Sequence, residues 1–161
     1  MKSLALLLIV SAVSLLPTRA AEIPEQLKEA AGKTFASGKP FFIWTTVPQP
    51  VVGRNSAATL PVRWAAKSPD PKLLKKTPFC LSAATTTVDV TGVTNNYFVT
   101  LGPFQNLKEA DDLRGFVGAR NRKLVTATVV YSLIPVDSHG PMPEPVSNAI
   151  EVKVVFRDGL R

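Results

Sequence analysis

YFVTLGPFQNLKEADDLRGF, residues 97–116, runs from an alternating strand through a Gly-Pro break into a stretch carrying helix signals. Its reading decides the fold. Tyr97, Phe98 and Val99 are strand formers, and Gly102 and Pro103 interrupt them. Asn106 is placed to cap a helix, with Glu109 three residues on to complete a capping box. Leu107, Ala110 and Leu113 then share one side, and Gly115 closes the helix as a left-handed cap. Lys108, Asp111 and Asp112 are left to water. Such a segment is either a helical crossover between two strands or a binding element in its own right.

The flanking sequence is a series of short β runs separated by turn residues. FFIWTTV (41–47) is aromatic and β-branched, and TLPVRWA (59–65) alternates, with Pro61 arguing for an edge or a bulge. FCLSA (79–83) is a short strand. TTTVDVT (85–91) and YFVTL (97–101) flank GVTNN and predict a hairpin with a five-residue loop. LVTATVVYSLI (124–134) puts Val125, Ala127, Val129, Tyr131 and Leu133 on one face. AIEVKVVF (149–156) puts Ile150, Val152, Val154 and Phe156 inside and Glu151 and Lys153 outside. The Pro-rich segment between them cannot continue a ladder and reads as a rigid protruding loop. Before all this, IPEQLKEAAGK predicts a short helix, with Pro24 in its first turn and Gly32 as its stop.

About seven short strands with turns between them predict an all-β, antiparallel sandwich with a short N-terminal helix and one short crossover helix. In FFIWTTVPQPVVGRNSAATLPVRWA and VVYSLIPVDSHGPMPEPVSNAIEVKVVF the order of parts resembles an immunoglobulin-like or fibronectin type III-like sandwich. The first would supply the first two strands and the second the last two. Trp64 would then be the core aromatic, without the cysteine pair of antibody domains. The resemblance implies a shape and no particular activity.

Residues 85–130 also resemble the second half of a SPOR domain, the bacterial module that binds peptidoglycan glycan strands. Gly102, Pro103, Phe104, Glu109, Ala110 and Leu113 match that family's strand-turn-helix pattern. The resemblance implies glycan binding through Tyr97 and Phe104. The chain departs from the pattern in having no matching first half before residue 85, and a final strand, 149–156, without a family counterpart.

Residues 1–20 carry the parts of an export signal: Lys2, a thirteen-residue apolar run, and a small-x-small site at Thr18, Arg19 and Ala20. The run is well short of the roughly 20 residues of a spanning helix. The expected organisation is a cleaved signal (1–20), an N-terminal helix and linker (21–39) and one β-sandwich domain (40–161). The 19 Lys and Arg against 12 Asp and Glu become 17 against 12 once Lys2 and Arg19 are removed, a surplus of +5. Such a surplus suits anionic polymers or acidic proteins, and its diffuseness argues against nucleic acid. One cysteine excludes an internal disulfide, and no Asn-x-Ser/Thr site is present. Both fit export to a bacterial periplasm, or secretion beyond it.

Little in the chain points to catalysis. Asp137, Ser138 and His139 are consecutive and cannot by themselves form a triad. Asp111 and Asp112 adjoin on one helix and diverge. Cys80 lies between Phe79 and Leu81 and reads as a small buried hydrophobe. The expectation is a non-enzyme without cofactor or metal. Its binding residues are His139, Met142 and Glu144 in the Pro-stiffened loop 135–147, and Arg120, Arg122 and Lys123 in a basic turn. The leading partner is an envelope or extracellular protein. The alternatives are a cell-wall polymer, through Tyr97 and Phe104, and a protease inhibited by the loop.

Overall fold

Alternating apolar residues can bury one face of a strand only if a second layer covers it, and two sheets supply that cover here. The computed structural model describes residues 22–46, 48–53, 59–73, 78–104, 112–118, 123–136 and 143–158. A 3-10 turn, Glu25–Leu27, leads into the helix α1 (Lys28–Ala36). The strands follow as β1 (Phe42–Thr45), β2 (Val51–Gly53), β3 (Thr59–Lys67), β4 (Phe79–Asp89), β5 (Thr94–Phe104), β6 (Asp112–Gly118), β7 (Leu124–Pro135) and β8 (Ile150–Arg157). One sheet has the order β1-β3-β6, the other β2-β8-β7-β4-β5. The described residues are mostly β, with one short α-helix.

The core holds Phe41, Ile43 and Ala66 from the first sheet's side. Leu81, Ala83, Ala127, Val129, Tyr131, Leu133, Val152, Val154 and Phe156 come from the second. The faces read for β7 and β8 are the buried ones, and Glu151 and Lys153 stand in water. FFIWTTV is apolar on both faces because both are covered. Phe41 and Ile43 enter the core, while Phe42 and Trp44 pack with Ala31, Ala65, Leu27 and Phe35 beneath α1.

Several expectations are corrected. The helix passes through Gly32 and ends at Ser37 and Gly38, where Gly38 takes φ +82°. The extra turn carries Phe35, whose ring meets Phe42 edge-on at 6.4 Å. The strands read at 79–83 and 85–91 are one strand, because β7 pairs alongside almost its whole length. The hairpin to β5 stands, with a turn of residues 90–93 in place of the five-residue loop. Its closure rests on Asp89, whose Oδ1 accepts the N–H groups of Thr91 and Val93 at 2.8 and 3.0 Å.

The crossover helix meets the clearest correction. Leu113 and Gly115 lie in β6, opposite Trp64 and Val62 of β3, so Gly115 caps no helix. Seven residues of ladder hydrogen bonding and a place in a sheet outweigh a local capping pattern. Residues 105–111, with the rest of the predicted helix, lie outside those described. Pro61 sits in a middle strand, yet β1 pairs only with residues 64–67 of β3. Its missing N–H therefore falls where β1 offers no ladder. The side chain of Trp64 lies outside the described residues.

Tyr131 is completely buried, and its hydroxyl has no hydrogen-bond partner among the described residues. Tyr131→Phe should therefore raise unfolding free energy by about 1 kcal/mol at neutral pH, read by urea denaturation. Burial, and secondarily Tyr97, pushes the Tyr131 phenol well above its usual range. The unfolded chain ionises this group near pH 10 while the fold keeps it neutral. Its stabilisation is thus intact below about pH 10 and lost as pH rises beyond. The variant should lose stability less steeply in that range.

Candidate functional site

Strand β5 borders the five-stranded sheet, with β4 on one side and, among the described residues, no strand on the other. Nearly every residue of it is exposed. Tyr97, Phe98 and Val99 are 42%, 42% and 40% exposed, three consecutive large apolar residues left in water by folding. Opposite Thr85 and Ala83, Tyr97 and Val99 lie on the core side of the sheet, but at its rim. Phe98 lies on the outer face, in a row with Ala84, Val130 and Glu151. The adjoining row is Asn96, Thr86, Thr128 and Lys153, and the Thr86 hydroxyl donates to Asn96 Oδ1 at 2.7 Å. Across these two rows Ala84, Thr86 and Thr128 are small or hydroxylated, Asn96, Glu151 and Lys153 are polar or charged, and Phe98 and Val130 are the large apolar groups.

Of the residues expected to bind, the structure offers some and withdraws others. Tyr97 is available, whereas Phe104 packs partly against the core. Glu144 is exposed on the segment leading into β8. Lys123 is exposed before β7, and its carbonyl accepts the Val90 N–H at 2.7 Å. Its ammonium contributes to holding the Asp89 carboxyl below its usual range, after the larger effect of the Thr91 hydroxyl at 2.6 Å. Glu144 and Lys123 lie toward opposite ends of β7, roughly 30 Å apart by strand rise, and form no joint site. His139, Met142, Arg120 and Arg122 lie outside the described residues.

The near ends of the Pro-rich loop are pinned. The Val136 N–H reaches Pro78 O at 3.3 Å, the Val146 N–H reaches Leu133 O at 2.9 Å, and Ser147 is fully buried. Phe98 and Val99 are the residues that sequence reasoning missed. The signal was there in three successive apolar residues, YFV, where a half-buried strand would alternate.

Cys80 is half-buried, and burial raises its thiol pKa, so the protonated form predominates at neutral pH. Among the described residues no three His, Cys, Asp or Glu side chains come together as a metal site, and no helix is long and apolar enough to cross a membrane. A cleft of about 300 Å³ between α1, β1 and the start of β8 is lined by Leu27, Phe42, Trp44 and Asn148, which also hold the N-terminal layer to the sheets. The fold and surface thus define a two-sheet β protein with an exposed apolar strand. A scan against protein-family models finds no match for the chain, and a search of curated proteins finds none.

Proposed function

We propose that this chain is an exported, non-catalytic binding module of immunoglobulin-like architecture that engages a protein partner through the β5 side of its five-stranded sheet. The exposed run Tyr97, Phe98 and Val99 carries the reading, because burying such groups on a partner is favourable and folding has not done it. The strand order supports the architecture. The leading segment divides between the sheets, β1 pairing antiparallel with β3 and β2 pairing parallel with the last strand, β8. Two sheets joined by such a divided first strand suit a sandwich of eight strands, one more than the sequence suggests. The loop 135–147, braced at both ends, is a second contact of the same module.

Site-specific photocrosslinking in the producing cell tests the surface. A crosslinker at Phe98 should yield a discrete adduct, and one at Glu151, in the same row toward the other edge, should not. Absence of any adduct from Phe98 would overturn the reading. Co-sedimentation with isolated peptidoglycan that is lost on Tyr97→Ala would replace the protein partner by a glycan. Export is checked by the N-terminus of the mature protein, expected at Ala21.

A further inference from the structure

We infer that the partner of β5 is a second copy of this chain, paired antiparallel edge to edge across a two-fold axis so that the five-stranded sheets become one. The inference rests on the binding surface proposed above and names its occupant.

A sheet edge presents unpaired N–H and C=O groups, and proteins ordinarily blunt it. Among the described residues the two sheets have four edges, and three are blunted. On β1, the Asn148 side chain takes both backbone groups of Ile43, accepting its N–H at 2.7 Å and donating to its carbonyl at 2.9 Å. Strand β2 has three residues and is preceded by Pro48 and Pro50. Strand β6 carries Asp112, Arg114 and two glycines in seven residues. Strand β5 is different. Its eleven residues contain no charge, in a chain of formal charge +7. Two copies of a cationic protein could meet there without opposing like charges.

The register follows from the backbone. The Asp89 N–H bonds to Val93 O at 3.1 Å, and the β4–β5 pairing keeps that frame through residue 101. Odd-numbered residues of β5 therefore turn their backbone groups toward β4, and Thr94, Asn96, Phe98 and Thr100 turn theirs outward. Gly102, at φ +118°, and Pro103 end the regular stretch. Antiparallel self-pairing must match outward residues with outward residues. Centred on Phe98, it sets Phe98 against the second copy's Phe98, Asn96 against its Thr100, and Tyr97 against its Val99. These are aromatic, polar and aromatic–β-branched pairs, the combinations that stabilise neighbouring strands. Centring on Tyr97 would instead oppose Asn96 to Phe98.

Sedimentation equilibrium of the purified mature chain should give twice the monomer mass. Phe98→Pro removes an outward N–H while leaving the β4 ladder intact, so it should return the mass to one chain, with the thermal midpoint of the parent diluted until monomeric. Tyr97→Pro removes a ladder donor and should lower the midpoint, which shows that proline at this strand is read by alternation. In a Cys80→Ser background, single cysteines at positions 96 to 100 should crosslink under mild oxidation most rapidly with Phe98→Cys, whose equivalent lies directly across the axis. A monomeric mass at the highest soluble concentration, or crosslinking with no preference for position 98, would overturn the inference. If the chain is monomeric but the Phe98 photocrosslinker captures a different protein, the binding surface stands and the second copy is excluded. If it captures nothing, both fall.

Discussion

Phe41→Ala should lower the free energy of unfolding by about 3–5 kcal/mol, the largest single loss expected in this protein. The ring is 1% exposed and meets Phe79 edge-on, with centroids 4.6 Å apart and planes at 75°. Phe79 stands at a register shift in the β4–β5 ladder, where the backbone already departs from regular pairing. The Phe41 N–H is committed to Val146 O at 3.1 Å, and residue 41 bridges to Ser147. With the backbone tethered on that side, the site cannot collapse around the missing ring, and a cavity remains. Urea unfolding followed by far-UV circular dichroism measures the loss. Phe42→Ala provides the contrast, since Phe42 stacks on Trp44 beneath α1 and its removal should chiefly loosen the helix. A Phe41→Ala loss under about 1 kcal/mol would mean that the two sheets do not share the core described.

Asn148→Asp should cost about 2–4 kcal/mol at neutral pH although it changes hardly any volume. The amide works in both directions. Oδ1 accepts from Ile43, and Nδ2 donates to the carbonyls of Ile43 and Ala149 at 2.9 and 3.2 Å. A carboxylate keeps the first bond but turns its second oxygen on two carbonyls. The fold then disfavours the charged form, so the introduced carboxyl should titrate above its unfolded value of about 4. The penalty should grow as pH rises through that range and shrink below it, where a protonated acid can donate again. Urea midpoints at pH 4 and pH 7, each relative to the parent chain, read the difference. An equal penalty at both would show that the donor half of the amide is idle.

The last two strands were legible because each residue's neighbours two positions away repeat its character, and that period selects one buried face. The N-terminal helix was legible but its end was not. Gly32 looks like a stop in the chain, yet the helix runs on to Ala36, with Phe35 packed on the cluster that β1 and β3 bring beneath it. Residues 112–115 mislead for a related reason. A capping box is worth about a kilocalorie locally, while pairing of β6 along β3 is contributed by residues some fifty positions away.

The candidate site divides in the same way. The sequence itself carries the apolar run Tyr97, Phe98 and Val99 and the Gly-Pro break after it, since these are properties of β5's own residues. That β5 stands at an edge among the described residues, with Phe98 left exposed, is a property of what the rest of the chain brings beside it. In the middle of the sheet Tyr97 and Val99 would be covered core, as Tyr131 and Val129 are on β7. Sequence by itself determined the strands whose apolar residues alternate, β7 and β8 above all, and which of their faces are apolar, because those follow from local preference and period. It did not determine β2 or β6. Only the tertiary structure decided which apolar residues stay in water, because burial depends on neighbours that the chain brings together from far apart.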